Sequence, residues 1–269
     1  MRQSIFLLLL VSSLLGAFFQ ACQNNVGTVE TGFITLRFDN VAGNQELKLG
    51  TSTYQNAVGE SFTVSKFNYY VSNFRLKRTD GTEYVVPQNN SYFLIQEDKP
   101  ESQTFTLANL PAGDYKSVSF LIGVDSLRSL ADIGQRTGVL DPGLGTHDAM
   151  YWDWNSGYIF LKLEGTSSAV PSAQNNQFFY HIGGFGGGYN GKKTINNLRT
   201  ITVPFGGDVA SVTATSTPKI NLTTDVLKVF NGNTTLSIAQ HSSVMFENYS
   251  TTIADNYAQM VKYTNQTKQ

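Results

Sequence analysis

The chain reads as an all-β protein: a single β-sandwich whose antiparallel strands form immunoglobulin-like layers, with long loops and a short C-terminal helix. Three observations carry this. Apolar and polar residues alternate with period two along most of the chain, the pattern of strands with one face buried. The 269 residues include 24 glycines, 13 tyrosines and 18 phenylalanines, and only 14% are charged, a balance suited to pleated, half-buried surfaces. Turn signals such as Asp80-Gly81 and Pro111-Ala112-Gly113-Asp114-Tyr115 punctuate the runs at the points where sandwich strands reverse.

Taken in order, Phe33–Phe38 is the first strand. Phe62–Lys77 is a long extended segment that turns at Asp80-Gly81 into Tyr84–Val86. Tyr92–Gln96, Thr104–Leu107 and Lys116–Ile122 continue the series. Ser126–Arg136 can hold a short helix capped by Asp125 or Ser126. Thr137–Gly145 is a Gly/Pro/Asp loop. Gly157–Leu163 and Gln177–Ile182 are strands around the loop Ser167–Gln174, and Leu198–Pro204 and Val209–Ala214 are two more. Thr224–Phe230 reads as a helical turn. Thr251–Tyr263 reads as the C-terminal amphipathic helix, with Ile253, Tyr257, Met260 and Val261 on one side.

The first residues set the compartment. Met1-Arg2-Gln3 is a positive leader and Ile5–Leu15 an apolar run, broken by Ser12, Ser13 and Gly16. It falls short of the roughly 20 residues of a membrane span, so a cleaved signal over residues 1–21 is expected. Cys22, the chain's single cysteine, follows Ala21 as in a bacterial lipoprotein box. Lipid on Cys22 also removes an unpaired thiol from an oxidising compartment. Residues 22–31 then form a polar tether and 32–269 the domain. With no acidic surface-export tag after Cys22, the expected location is the outer membrane, facing the periplasm.

A net charge of −1 and no Lys/Arg cluster exclude an electrostatic nucleic-acid surface. The glycine-rich turn Gly183–Gly191 is not followed by a helix that presents amides to phosphate. Asp153–Gly157 begins like a calcium loop but lacks its remaining ligands, Glu164 at the twelfth position lying in an apolar strand. No Ser-His-Asp or zinc-protease signature is present. Paired carboxylates drawn from Asp125, Asp141, Asp148, Asp153 and Glu164 would be needed for a hydrolase.

The residue types able to bind soft metals or carry redox chemistry concentrate in Ala149–Gly165. Both tryptophans, Trp152 and Trp154, lie there, with Met150 and His147 close by, in a chain of three histidines. If the segment is extended, Met150, Trp152 and Trp154 share one face. Such a row packs a core as readily as it lines a site. Thioether and imidazole suit copper, and His181, near the end of a strand before flexible glycines, is a second candidate ligand. His241 has no ligand types beside it and reads as surface.

Seven ordered motifs carry a family resemblance. They are Leu36-Arg37-Phe38 with Leu47–Gly50 and Tyr54-Gln55-Asn56; Phe67–Phe74; Pro111–Tyr115; Gly123–Ser126; Gly138–Pro142; Met150–Gly165; and Tyr180–Gly184. Spanning about 32–230, this order resembles the MbnP-like copper-binding domain family of periplasmic or lipid-anchored proteins. The resemblance implies a β-sandwich that binds copper and is not an enzyme. His181 would be the firmest ligand, His147 and Met150 further candidates, and Trp152 and Trp154 the site wall or the residues oxidised to kynurenine by a MauG-like di-haem partner. Many members carry a histidine after the first strand's Phe-Asp pair; here Asn40 follows Phe38-Asp39, and His147 would have to replace it. The competing reading is a metal-free carbohydrate- or protein-binding sandwich that uses the Trp/Tyr cluster as an exposed platform.

Overall fold

The computed structural model describes residues 30–143, 149–152, 157–187 and 192–268. The signal segment, Cys22 and its tether, His147 and Trp154 lie outside the described residues.

Sixteen strands are present among them: β1 Thr31–Ala42, β2 Gln45–Glu46, β3 Thr53–Gln55, β4 Ser61–Arg78, β5 Glu83–Val85, β6 Tyr92–Gln96, β7 Thr104–Pro111 and β8 Gly113–Ile122 in the first half. The second half adds β9 Tyr151–Trp152, β10 Gly157–Ser167, β11 Gln177–Gly183, β12 Arg199–Pro204, β13 Ala210–Val212, β14 Pro218–Asp225, β15 Ser243–Val244 and β16 Val261–Lys268. Three short helices accompany them: α1 Ser126–Ser129, α2 Leu227–Phe230 and α3 Ser250–Tyr257. No helix among the described residues is long and apolar enough to cross a membrane.

Two sheets result. The smaller runs β16-β14-β1-β2 with β7 also on β1; the larger runs β12-β8-β4-β10-β11-β15, with β3, β5 and β6 on β4, β9 on β10 and β13 on β8. One apolar cluster fills the space between them. From the smaller sheet it takes Leu36, Phe38 and Ile220, and from the larger Phe67, Tyr69, Phe120, Leu161 and Ile182. Phe38 meets Phe120 edge-on at 5.5 Å and stacks on Phe105 at 5.8 Å. The Pro111–Tyr115 connection is closed by Tyr115 Oη donating to the Pro111 carbonyl at 2.7 Å, with Gly113 at φ 150°.

The predicted sandwich is therefore present, with two corrections. The layers are not wholly antiparallel: β1 pairs with β14, and β11 with β15, in parallel. The C-terminal helix ends at Tyr257, and Val261–Lys268 is a strand on β14. Met260 and Val261 are buried as expected, but from a turn and a strand. Ladder bonds to β14 outweigh the helical spacing of four apolar residues. Strand β14, central in the smaller sheet, is absent from the sequence reading, which passes over Pro218–Thr223.

One register shift places the site. Lys66 faces Glu164 and Val64 faces Gly165, so Ser65 is bulged out of the β4–β10 ladder. The chains touch there: a Cβ on Gly165 would lie 1.8 Å from the Thr63 carbonyl oxygen. Gly165→Ala should therefore destabilise the fold by about 2–3 kcal/mol, the upper part of the overpacking range. Denaturant unfolding measures it, and a loss under about 0.5 kcal/mol would show that the bulge is not fixed by this contact.

Candidate metal centre

Alternation along β10 and its neighbours separates two chemistries. Leu161, Leu163, Tyr180, Ile182, Phe67 and Tyr69 point into the sandwich. The residues between them point to the other face of the larger sheet. There His181 on β11 lies opposite Lys162 on β10, Lys162 opposite Asn68 on β4, and Asn68 opposite Gln96 on β6. Residues directly opposite in a ladder approach within about 4.5–5.5 Å at Cβ. The four side chains thus form one polar row across four strands.

Glu164, two residues beyond Lys162 on the same face, organises the row. Its Oε1 is 2.7 Å from His181 Nε2 and 3.5 Å from Lys162 Nζ. The Lys162 ammonium, on a residue only 4% exposed, also donates to the Ala149 carbonyl at 2.7 Å. The hydrogen bond from His181 holds the Glu164 carboxyl below the usual carboxylate range, helped by the Lys162 charge. Burial pulls Lys162 below the ordinary lysine range, against the opposing attraction of Glu164. In the tautomer that donates from Nε2 to Glu164, the lone pair of the ring lies on Nδ1. This is the carboxylate–histidine arrangement that orients metal-binding imidazoles and raises their basicity.

Asn68 is fully buried, yet among the described residues neither its Oδ1 nor its Nδ2 has a hydrogen-bond partner, and Gln96 Nε2 is also unpartnered there. Each such group costs about 1–3 kcal/mol. The row is therefore not optimised for stability alone.

A second apolar cluster covers this face beside the row. It contains Met150, Trp152, Tyr70, Leu94, Leu140, Tyr158 and Phe160. Met150 is fully buried and Trp152 is 5% exposed. They enter the same cluster, and Tyr151 packs against it as well, edge-on to Tyr158 at 5.2 Å. Trp152 lies against Gly183, where a Cβ would stand 2.7 Å from the ring's Cζ3, and meets Phe246 edge-on at 6.1 Å. Tyr151 accepts from Arg136 Nη1 at 3.1 Å. The segment's tryptophan thus comes within two residues of His181 along β11. Among the described residues no three His, Cys, Asp or Glu side chains converge on one point; His147 and Trp154 lie outside them.

The exposed platform that carbohydrate binding requires is not offered by Trp152. His241, read as surface, is half-buried and stacks on Tyr249 at 3.5 Å. Of the candidate carboxylates, Asp125 caps α1, accepting from the Arg128 amide at 3.1 Å, and Asp141 accepts from the Gly143 amide at 2.8 Å. Asp148 and Asp153 fall outside the described residues.

Asn40 has a different place from the one its sequence position implies. It is buried inside the sandwich, where its Oδ1 accepts from Tyr69 Oη and its Nδ2 donates to Glu97 Oε2, both at 2.9 Å. Gln103 Nε2 binds the same Glu97 oxygen at 3.0 Å, and burial raises the Glu97 pKa. Tyr69 and His181 project from opposite faces of the larger sheet. Asn40 and His181 thus lie on different faces of the larger sheet.

Sequence reasoning missed Glu164 as the partner of His181, reading it as a misplaced calcium ligand or a scattered acid. It also missed Lys162 and Asn68. The signal was there in Gly157–Gly165: two charged residues at i and i+2 in an apolar strand share one face.

Because the folded pKa of Glu164 lies below its unfolded value near 4.3, its contribution to stability is whole above that range. It is lost as pH falls from there towards the folded value. Glu164→Gln should be less stable than wild type at about pH 6–7 and approach it by about pH 3. Denaturant midpoints at a series of pH values test this; a pH-independent gap would show that Glu164 gains nothing from His181 and Lys162.

No curated protein matches this chain. Among solved structures, MbnP from Methylosinus trichosporium superimposes with a TM-score of 0.51 at 16% identity, covering 82% of each chain, a likeness of fold. The sequence model of the MbnP family matches residues 31–246, and the chain belongs to that family.

Proposed function

We propose that the protein is a non-enzymatic, lipid-anchored copper-binding protein that sequesters or delivers copper on the periplasmic side of the outer membrane. The observation that carries this is His181, whose Nε2 lies 2.7 Å from the Glu164 carboxylate so that Nδ1 is the ring nitrogen left to take a metal, in a chain of the MbnP family. Imidazole is a good ligand for both copper oxidation states. Bound copper would supply a redox-active, thiophilic cation; the chain would supply His181 as ligand, with His147 and the Met150 thioether as further candidates. Glu164 would orient His181. Trp152, lying on Gly183 beside the end of β11, would form the wall on that side, and Trp152 or Trp154 would be the residue oxidised to kynurenine by a MauG-like di-haem partner. Lipid on Cys22 would hold the domain at the membrane.

Copper titration against a competing chelator tests the reading. Wild-type protein is expected to take up near-stoichiometric copper, His181→Ala to lose it, and Glu164→Gln to bind about 10–100-fold more weakly, the usual effect of removing a ligand's orienting partner. Wild-type protein that takes up neither Cu(I) nor Cu(II) would sink it. Intact mass and peptide mapping of protein isolated from its native host should show the kynurenine increment on Trp152 or Trp154; unmodified peptides would remove the partner enzyme from the proposal.

A further inference from the structure

A cleft of about 1010 Å³ opens between the Gln88–Phe93 segment and the Leu127–Leu140 segment. That volume is the size of a small-molecule site. Its walls combine two features. One is aliphatic surface left in water: Leu127 is 74% exposed and Val139 37%. The other is a single organised cation. Arg128 lies over the ring of Tyr92, 5.2 Å from its centroid, and its Nη1 and Nη2 donate to the Gln135 carbonyl at 2.6 Å and to Asn89 Oδ1 at 2.5 Å.

Those contacts fix the guanidinium plane, but both acceptors are neutral. No carboxylate pairs with Arg128 among the described residues. The nearby acid, Asp125, is engaged by other donors. It accepts from Tyr92 Oη, from Gln88 Nε2 at 3.1 Å and from the Arg128 amide at 3.1 Å. A guanidinium held in plane without a counter-charge, beside exposed aliphatic side chains, matches a ligand with an anionic head and an apolar body.

We propose that this cleft binds a small molecule bearing a carboxylate on a short apolar chain, with Arg128 taking the carboxylate and Leu127 and Val139 covering the chain. The back wall is shared with the cluster of Met150 and Trp152. Tyr70 Oη donates to the Val139 carbonyl at 2.8 Å and Tyr158 Oη to the Leu140 carbonyl at 2.6 Å. An occupant would press on the wall behind that cluster.

The test uses the copper-free protein, so its outcome is independent of the copper reading. Amide shifts of the labelled protein are followed during titration with octanoate, and with octanamide as the uncharged match. Octanoate should shift residues of Leu127–Leu140 and bind at least about 10-fold more tightly than octanamide, as expected when one charge-assisted pair is lost. Arg128→Gln should remove that difference. Val139→Trp, which fills the cleft and leaves the Arg128 contacts in place, should abolish the octanoate shifts. Equal binding of the two probes, octanoate shifts that persist in Val139→Trp, or no shifts in this segment would each overturn the proposal.

Discussion

The register of β10 between β4 and β11 is the constraint on which the remainder depends. This strand is buried on both faces: Leu161 and Leu163 close the sandwich, while Tyr158 and Phe160 pack under the Met150–Trp152 cluster. A strand in that position tolerates no slip, because moving by one residue exchanges its faces. Lys162 and Leu163 would trade places, burying an ammonium between the two sheets. The bulge at Ser65 and the contact of Gly165 with the Thr63 carbonyl hold the register where the charged pair begins. The pair Lys162 and Glu164 can exist only because the Ala149 carbonyl and His181 meet it on that face.

A buried ammonium and a carboxylate are poor choices for stability alone, since desolvation offsets most of their attraction. Asn68 adds two unpartnered polar atoms at the same level of the sheet. An apolar row in these positions would continue the Tyr70–Phe160 cluster without those costs. Local violations of packing logic cluster where proteins keep function, and here they lie on β10 and β4, beside the one described histidine whose ring is bound by a carboxylate.

Much of this was legible in the residues. Period-two alternation located most strands of the larger sheet because each has one face in the core; Phe62–Lys77 and Tyr92–Gln96 correspond closely to β4 and β6. Strand β14 escaped because Pro218 and the polar alternation of Lys219, Asn221 and Thr223 resemble a loop until β1 and β16 lie on either side. Strand β16 escaped because Ile253, Tyr257, Met260 and Val261 happen to recur at helical spacing. Partnership is a tertiary fact: that His181 faces Glu164 depends on how β10 and β11 align, which their separate patterns leave open by steps of two residues.

The same argument bears on Asn40. In one dimension it and His181 are two positions of a single motif series. In the fold they stand on opposite faces of the larger sheet, and Asn40 is occupied with Tyr69 and Glu97. Its amide does there what an imidazole does poorly: it donates to a half-buried carboxylate and accepts from a buried tyrosine at once. A neutral imidazole also has one donor and one acceptor, but they point outward from different edges of a rigid ring, whereas the amide presents both at one end. Asn40 therefore belongs to the core network around Glu97, and the surroundings of His181 are set by its own face, through Glu164 and Lys162.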